Sequence, residues 1–142
     1  MSLNTASEAL NSAKEITERG LDFLRSHSNP EEHQVFLYDL SHASSAIAIA
    51  ESFLSFAEKG EEEKGIVELF CADTLRAVAA MCFGREDIWG LESSTLGVLS
   101  QYVAEHGTPQ KYSIASLSSQ ESHLSDELEL VAKTFRRFGK DH

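Results

Sequence analysis

The stretch Val35–Ala57, VFLYDLSHASSAIAIAESFLSFA, constrains the fold more than any other part of the chain, because it contains no Gly or Pro and is apolar over most of its length. Apolar residues recur there at steps of three and four, the spacing that places side chains on one side of an α-helix. A second apolar set widens this stripe, which is typical of a helix with neighbours on most sides. We therefore predict that this segment is the central helix of a bundle. The first set is Phe36, Leu40, Ala43, Ile47, Ala50, Leu54 and Ala57, and the second is Val35, Ala46, Ile49, Phe53 and Phe56.

Both ends of the central helix carry sequence signals. The run Asn29-Pro30-Glu31-Glu32 offers an N-cap side chain, a proline at the first helical position and a glutamate at the third, as in a capping box. Lys59 and Gly60 supply a cation in the last turn and a C-cap glycine. A helix from Pro30 to Lys59 has a length of about 45 Å, so we expect an elongated bundle.

The flanking segments predict further helices. Thr5 and Glu8 are placed to form a capping box that opens a first helix. The run after Gly60 predicts a helix over 62–83, and a shorter helix is expected over 94–106. The fold class is therefore all-α, an antiparallel helical bundle of about five helices around one long central helix.

The 142 residues are predicted to form a single helical domain with three parts. A helical bundle occupies 4–106, a serine-rich connector occupies 107–124, and a C-terminal helix occupies 125–140. Trp89, the only tryptophan, is expected to pin the loop between the third and fourth helices.

The overall charge excludes several classes of partner. With 23 acidic and 12 basic residues, the net charge of −11 argues against binding to nucleic acid or to an anionic membrane surface. The longest apolar run, Ala77–Phe83, is far shorter than the roughly 20 residues that cross a bilayer. Cys71 and Cys82 are about 16 Å apart along one predicted helix, too far for a disulfide, and unpaired thiols fit a reducing compartment. The sequence therefore predicts a cytoplasmic protein.

Sequence motifs for catalysis, metal binding or a cofactor are absent. Di-iron bundles need Glu-x-x-His on two helices, and the nearest approach here is the single pair Asp39 and His42. Gly-x-Ser-x-Gly, Gly-x-Gly-x-x-Gly and P-loop motifs do not occur either. We therefore expect no cofactor and no reaction carried out by this chain on its own. The other histidines are expected at the surface, and they are His27, His33, His106, His123 and His142.

Two polar contacts are predicted on the central helix. Asp39 and His42 have the i, i+3 spacing of neighbours on one face, so we predict a structural polar pair, hydrogen-bonded mutually or to a neighbouring helix. If a short turn at Gly60 brings the next helix back antiparallel, Glu51 faces Arg76 and the two form an ion pair.

The C-terminal helix carries the predicted interaction surface. Its apolar residues form a stripe that must be buried by this bundle, by another copy or by a partner, because an isolated helix of about 15 residues is marginal in water. The basic residues nearby either complement the helix dipole or face an acidic partner. The surface comprises Leu128, Val131, Phe135, Arg136 and Phe138, and the basic residues are Lys133, Arg136, Arg137 and Lys140.

Three segments resemble a known family, and they are Tyr38-Asp39-Leu40-Ser41-His42-Ala43, Phe83-Gly84-Arg85-Glu86 and the closing stretch ELELVAKTFRRF at Glu127–Phe138. They are similar to the N-terminal helical extension domain of methylsuccinyl-CoA dehydrogenase-type acyl-CoA dehydrogenases, and the closing stretch resembles the first helix of the dehydrogenase core. The resemblance covers roughly 29–86 and 125–138.

The resemblance implies a non-catalytic helical accessory or oligomerisation domain of an acyl-CoA dehydrogenase-like flavoenzyme. The family's flavin-binding segments, acyl-CoA pocket and catalytic glutamate lie outside the region of resemblance, so no catalytic residue is transferred to this chain. The partner is then a dehydrogenase core or another copy of the chain. The alternative is a free-standing, self-associating helical interaction protein, and a small bundle enzyme acting on acyl-CoA or through a metal is a third possibility that the missing motifs disfavour.

Overall fold

The computed structural model, described for residues 5–27, 29–115 and 125–141, confirms the all-α class: these ranges contain helices and no β-strand. Their α-helices and two 3₁₀ segments follow one another closely along the chain. The α-helices are α1 (Ala6–Ser26), α2 (Gln34–Phe53), α3 (Glu61–Cys82), α4 (Ser93–His106), α5 (Pro109–Ala115) and α6 (Asp126–Asp141), and the 3₁₀ segments are Pro30–His33 and Leu54–Lys59.

One of the two predicted capping boxes is present. The Glu8 backbone N–H donates to Thr5 Oγ1 at 3.2 Å and the Thr5 N–H donates to Glu8 Oε2 at 3.1 Å, which confirms the start of α1. At the second site, Asn29 Nδ2 instead donates to Glu32 Oε1 at 2.8 Å, and the chain there winds as a 3₁₀ turn. The Asn29 side chain is occupied by the glutamate and does not cap the backbone. The predicted long helix is therefore a 20-residue α-helix with tighter 3₁₀ turns at both ends.

The first four helices run antiparallel to their neighbours in sequence. In each pair, one contact joins an early residue of the first helix to the end of the next, and another joins a late residue of the first helix to the earlier half of the next, as antiparallel packing requires. Between α1 and α2 the contacts are Lys14–Glu51 and Phe23–Phe36. Between α2 and α3 with the loop after it they are Phe53–Phe70 and Asp39–Arg85. Between α3 and α4, Glu68 contacts His106, and Ala80 and Gly97 line the same groove.

The central helix is α3, not α2. Helices α1, α2, α4 and α5 all contact α3, and its middle residues Cys71, Ala72 and Leu75 are completely buried. Helix α2 buries the residues of the first apolar set that it contains, but Val35 and Ile49 of the second set are 72% and 57% exposed. The prediction of α2 as the hub was wrong because apolar residues on the outer side of a helix do not require a neighbour within the same chain.

The predicted ion pair between Glu51 and Arg76 is not formed either. Glu51 pairs with Lys14 Nζ at 3.1 Å. Arg76 donates to the Gly107 carbonyl at 2.9 Å and to the Tyr112 hydroxyl at 3.0 Å, and it also pairs with Asp73. These contacts tie α5 to α3, so Arg76 is bonded to α5 and to the residue after α4, and not to Glu51 of α2.

The loop between α3 and α4 encloses the tryptophan, as predicted. Gly84 and Gly90 have φ angles of +78° and +62°, in the left-handed region that glycine adopts without strain. Between these two turns, the Trp89 ring is completely buried and packs edge-to-face on Phe36 with centroids 4.9 Å apart. The indole therefore joins the loop to α2 and closes this end of the bundle core.

Candidate functional site

The interaction surface that the sequence predicts on the C-terminal helix is an exposed apolar stripe of α6. Leu128, Val131 and Phe135 recur at three- and four-residue steps and so share one side of the helix. All three are exposed, Phe135 by 73%. Side chains of this size gain about 1.5–3 kcal/mol each when they leave water, so the stripe is a surface suited to binding an apolar groove.

Two further members of the predicted surface lie on the same helix. Arg136 is exposed and directly follows Phe135, about 100° further round the helix, so it lies on the side of Glu129 and not within the stripe. Residue 138 belongs to α6, but the Phe138 side chain lies outside the described residues. On the opposite side of α6, Lys133 Nζ is 3.4 Å from Glu129 Oε2, which makes that side polar. Leu130 also lies on this side and is 67% exposed.

Asp39 and His42 do not form the predicted pair with each other. Asp39 Oδ2 accepts from Arg85 Nη2 at 2.7 Å, and the same guanidinium nitrogen contacts the Met81 carbonyl. His42 is exposed, with its ring 4.3 Å from that of Tyr38. The guanidinium carries a permanent charge and presents several N–H donors, so its hydrogen bond to the Asp39 carboxylate is charge-assisted.

We expect Asp39→Ala to lower the free energy of unfolding by about 1–2 kcal/mol, because Arg85 is left half-buried without its carboxylate. The matched control on the same helix, His42→Ala, should change it by less than about 0.5 kcal/mol because His42 is exposed. Urea unfolding at low protein concentration measures both. If the two variants lost the same free energy of unfolding, the ion pair between Asp39 and Arg85 would not be the contact that stabilises this part of the fold.

His106 was expected at the surface, and the structure instead buries it. Its side chain packs on the Tyr102 ring with centroids 4.3 Å apart, and Nδ1 lies 3.4 Å from Glu68 Oε2. Neither ring nitrogen forms a hydrogen bond with a described residue. Position alone, at the end of α4, suggested exposure; only the packing of α4 on α3 reveals the burial.

The two cysteines are buried, and their thiols are poorly reactive near neutral pH. Both Cys71 and Cys82 are unpaired and completely inaccessible to solvent. Burial raises the pKa of the Cys71 thiol to about 11 and that of Cys82 to about 12, with smaller contributions from nearby charges. Since the thiolate is the nucleophile, both side chains act as core residues near neutral pH.

Two surface grooves accompany these features. One of about 320 Å³ lies between α1 and α4, with Glu15 and Arg19 at its edge. The other, of about 500 Å³, lies between the end of α3 and the start of α4. It is lined mainly by small or apolar side chains, which are Ala79, Ala80, Phe83, Leu96, Gly97 and Ser100. The first groove is lined by Glu15, Arg19 and several hydroxyl groups, and the second by Ser100 among small or apolar residues.

The part of the chain that the structure describes contains neither a cluster of metal ligands nor a helix suited to crossing a membrane. No group of three or more His, Cys, Asp or Glu side chains is arranged there to hold a metal ion. None of the helices there has the length and apolarity needed to cross a membrane.

Comparison with known proteins identifies no relative. No family model matches the chain, and no match was found among curated proteins or solved structures. The acyl-CoA dehydrogenase resemblance therefore stays a prediction that depends on three short segments.

Proposed function

We propose that this chain is a non-catalytic helical accessory domain that joins a partner through α6. The observation that carries the proposal is the uncovered stripe of Leu128, Val131 and Phe135, on a helix whose opposite side is mostly polar. An amphipathic helix with a free apolar side is a common means of docking into a groove on another protein. The lack of catalytic motifs in the sequence agrees with a binding role.

The partner we propose is the helical core of an acyl-CoA dehydrogenase-like flavoenzyme, with the chain promoting its assembly. This choice follows from the family resemblance, in which the α6 segment matches the first helix of that core. The alternative is self-association as a free-standing interaction protein. An exposed apolar stripe on a chain of net charge −11 is compatible with either partner.

Binding to a purified acyl-CoA dehydrogenase core tests the proposal, with the full-length chain labelled and titrated by fluorescence anisotropy. We expect the double variant Leu128→Asp, Phe135→Asp to bind at least about tenfold more weakly, since each aspartate would be buried without a partner. Leu130→Asp is the matched control, because Leu130 is similarly exposed but lies on the other side of α6. The control should bind like the wild type.

Two other results would favour self-association or contradict the proposed function. If the wild type does not bind the core but its own mass rises with concentration, and the double variant abolishes that rise, self-association replaces the dehydrogenase partner. Equal behaviour of the double variant and Leu130→Asp in both assays would rule out the α6 stripe as a binding surface and with it the proposed function.

A further inference from the structure

The outer side of α2 is an exposed surface without formal charge. Eleven residues of α2 are exposed, and none of them is Asp, Glu, Lys or Arg. Helix α1 also exposes eleven residues, and seven of those are charged. In a chain with 23 acidic and 12 basic residues, such a surface differs from its surroundings. The exposed residues of α2 are Gln34, Val35, Leu37, Tyr38, Ser41, His42, Ser44, Ser45, Ala48, Ile49 and Ser52.

The two acidic residues of α2 are directed away from this surface. Asp39 is half-buried and bonded to Arg85, and Glu51 is paired with Lys14 of α1. Both carboxylates are therefore neutralised by cations of the same chain at the edges of α2. The residues that remain toward solvent are apolar, small or hydroxyl-bearing, together with Gln34 and His42.

The larger side chains of this surface form a regular row. Val35, Tyr38, His42 and Ile49 lie at steps of three, four and seven along the helix, the repeat with which two helices pack side by side. Val35, Tyr38 and Ile49 are each more than half exposed. Serine and alanine occupy most of the positions beside the row, so another helix can approach closely.

We propose that this charge-free side of α2 is a homotypic interface, on which α2 of a second copy packs. The charge of the chain favours a second copy as the occupant. Two copies with a net charge of −11 each repel one another across any acidic face, and the side of α2 is where they can meet without bringing carboxylates together. A basic partner would gain nothing from a surface that presents no carboxylate.

The size of the surface sets the expected strength of the contact. Helix α2 is about 30 Å long and about 10 Å wide, which gives a flat footprint of about 300 Å². This is smaller than the roughly 800 Å² per partner of a standard interface, so the dimer is expected to be concentration-dependent and not permanent. The interface does not use α6 and is independent of the partner proposed above.

Sedimentation velocity of the full chain from about 1 µM to about 500 µM tests the proposal. We expect the wild type to shift from monomer toward dimer, and Tyr38→Glu with Ile49→Glu to weaken dimerisation at least about tenfold. Leu21→Glu is the matched control, since Leu21 is a partly exposed leucine of α1 with the charged residues Glu18 and Arg25 one turn to either side. It should dimerise like the wild type. Both variants change only exposed residues, so circular dichroism should report the same helical content.

Crosslinking locates the contact directly. Cys71 and Cys82 are buried, so a cysteine introduced by His42→Cys, at the centre of the row, is the reactive thiol. A short bismaleimide should join two copies through residue 42 and fail to join copies of an Ala77→Cys control on α3, where Ala77 is also exposed. A wild type that stays monomeric throughout, or a dimer lost in Leu128→Asp, Phe135→Asp but kept in the α2 variant, would overturn this interface. The second of these results would leave the proposed role of α6 intact.

Discussion

Replacing Trp89 with alanine is expected to lower the free energy of unfolding by about 3–5 kcal/mol, the range for removing a buried aromatic side chain. The indole is completely buried, stacks edge-to-face on Phe36 and closes one end of the bundle. At roughly 3 °C per kcal/mol for a chain of this size, the thermal midpoint should fall by about 10–15 °C. Thermal and urea unfolding monitored by circular dichroism measure both quantities.

A second substitution separates the ring from its N–H group. Trp89 Nε1 is buried and has no hydrogen-bond partner among the described residues, so Trp89→Phe removes volume but also removes an unsatisfied donor. We expect Trp89→Phe to cost clearly less than Trp89→Ala. Phe83→Ala in the same loop is the control and should change stability by about 0.5 kcal/mol or less, because Phe83 is largely exposed. A Trp89→Ala variant as stable as this control would show that the loop does not depend on the indole.

The helices were predictable from sequence because their signals are local. Periodic apolar residues predicted a helix over 62–83 and another over 94–106, and the structure has Glu61–Cys82 and Ser93–His106. The predicted C-terminal helix at 125–140 is observed as Asp126–Asp141. In the connector at 107–124, α5 occupies Pro109–Ala115, and residues 116–124 lie outside the described residues.

The packing was less predictable because it depends on residues far apart in the chain. Ile47 and Ile49 are the same residue type two positions apart, yet one is buried and the other exposed. Only the positions of α1 and α3 decide which side of α2 is covered. His106 is buried by residues of α3, and Asp39 is paired with Arg85, 46 residues later in the chain. Pairings over such distances leave no periodic signal.

The two candidate binding surfaces also differ in how far the sequence predicts them. The stripe on α6 was predictable because amphipathicity is a local pattern, and its exposure agrees with a surface available for binding. On the charge-free side of α2, Val35 and Ile49 belong to the second apolar set, which predicts neighbours within the bundle, but the structure exposes both. Sequence alone gives the amount of apolar surface on a helix, whereas the structure shows how much of it the chain can cover by itself.

Gly20 is expected to tolerate no larger side chain, because it lies in α1 where three other side chains meet. A Cβ atom placed there would lie 3.1 Å from Trp89 Cε3, 3.2 Å from Leu40 Cδ1 and 3.2 Å from Phe36 Cζ. Gly20→Leu adds four carbons to this buried contact, so we expect a loss of about 3 kcal/mol, the upper part of the usual range for overpacking. The gain in helix propensity of up to about 1 kcal/mol does not offset this loss.

The same substitution at Gly65 provides the control, since Gly65 is also within a helix but has no atom within 4 Å of its added Cβ. Gly65→Leu should stabilise the protein by about 0.5–1 kcal/mol, because leucine favours the helix and glycine does not. Chemical unfolding should therefore show a lower free energy of unfolding for Gly20→Leu and a higher one for Gly65→Leu, although both variants replace glycine with leucine. If Gly20→Leu were neutral, α1 would not approach Phe36, Leu40 and Trp89 as closely as the structure shows. That close approach brings α1, α2 and the Trp89 loop together at this end of the bundle.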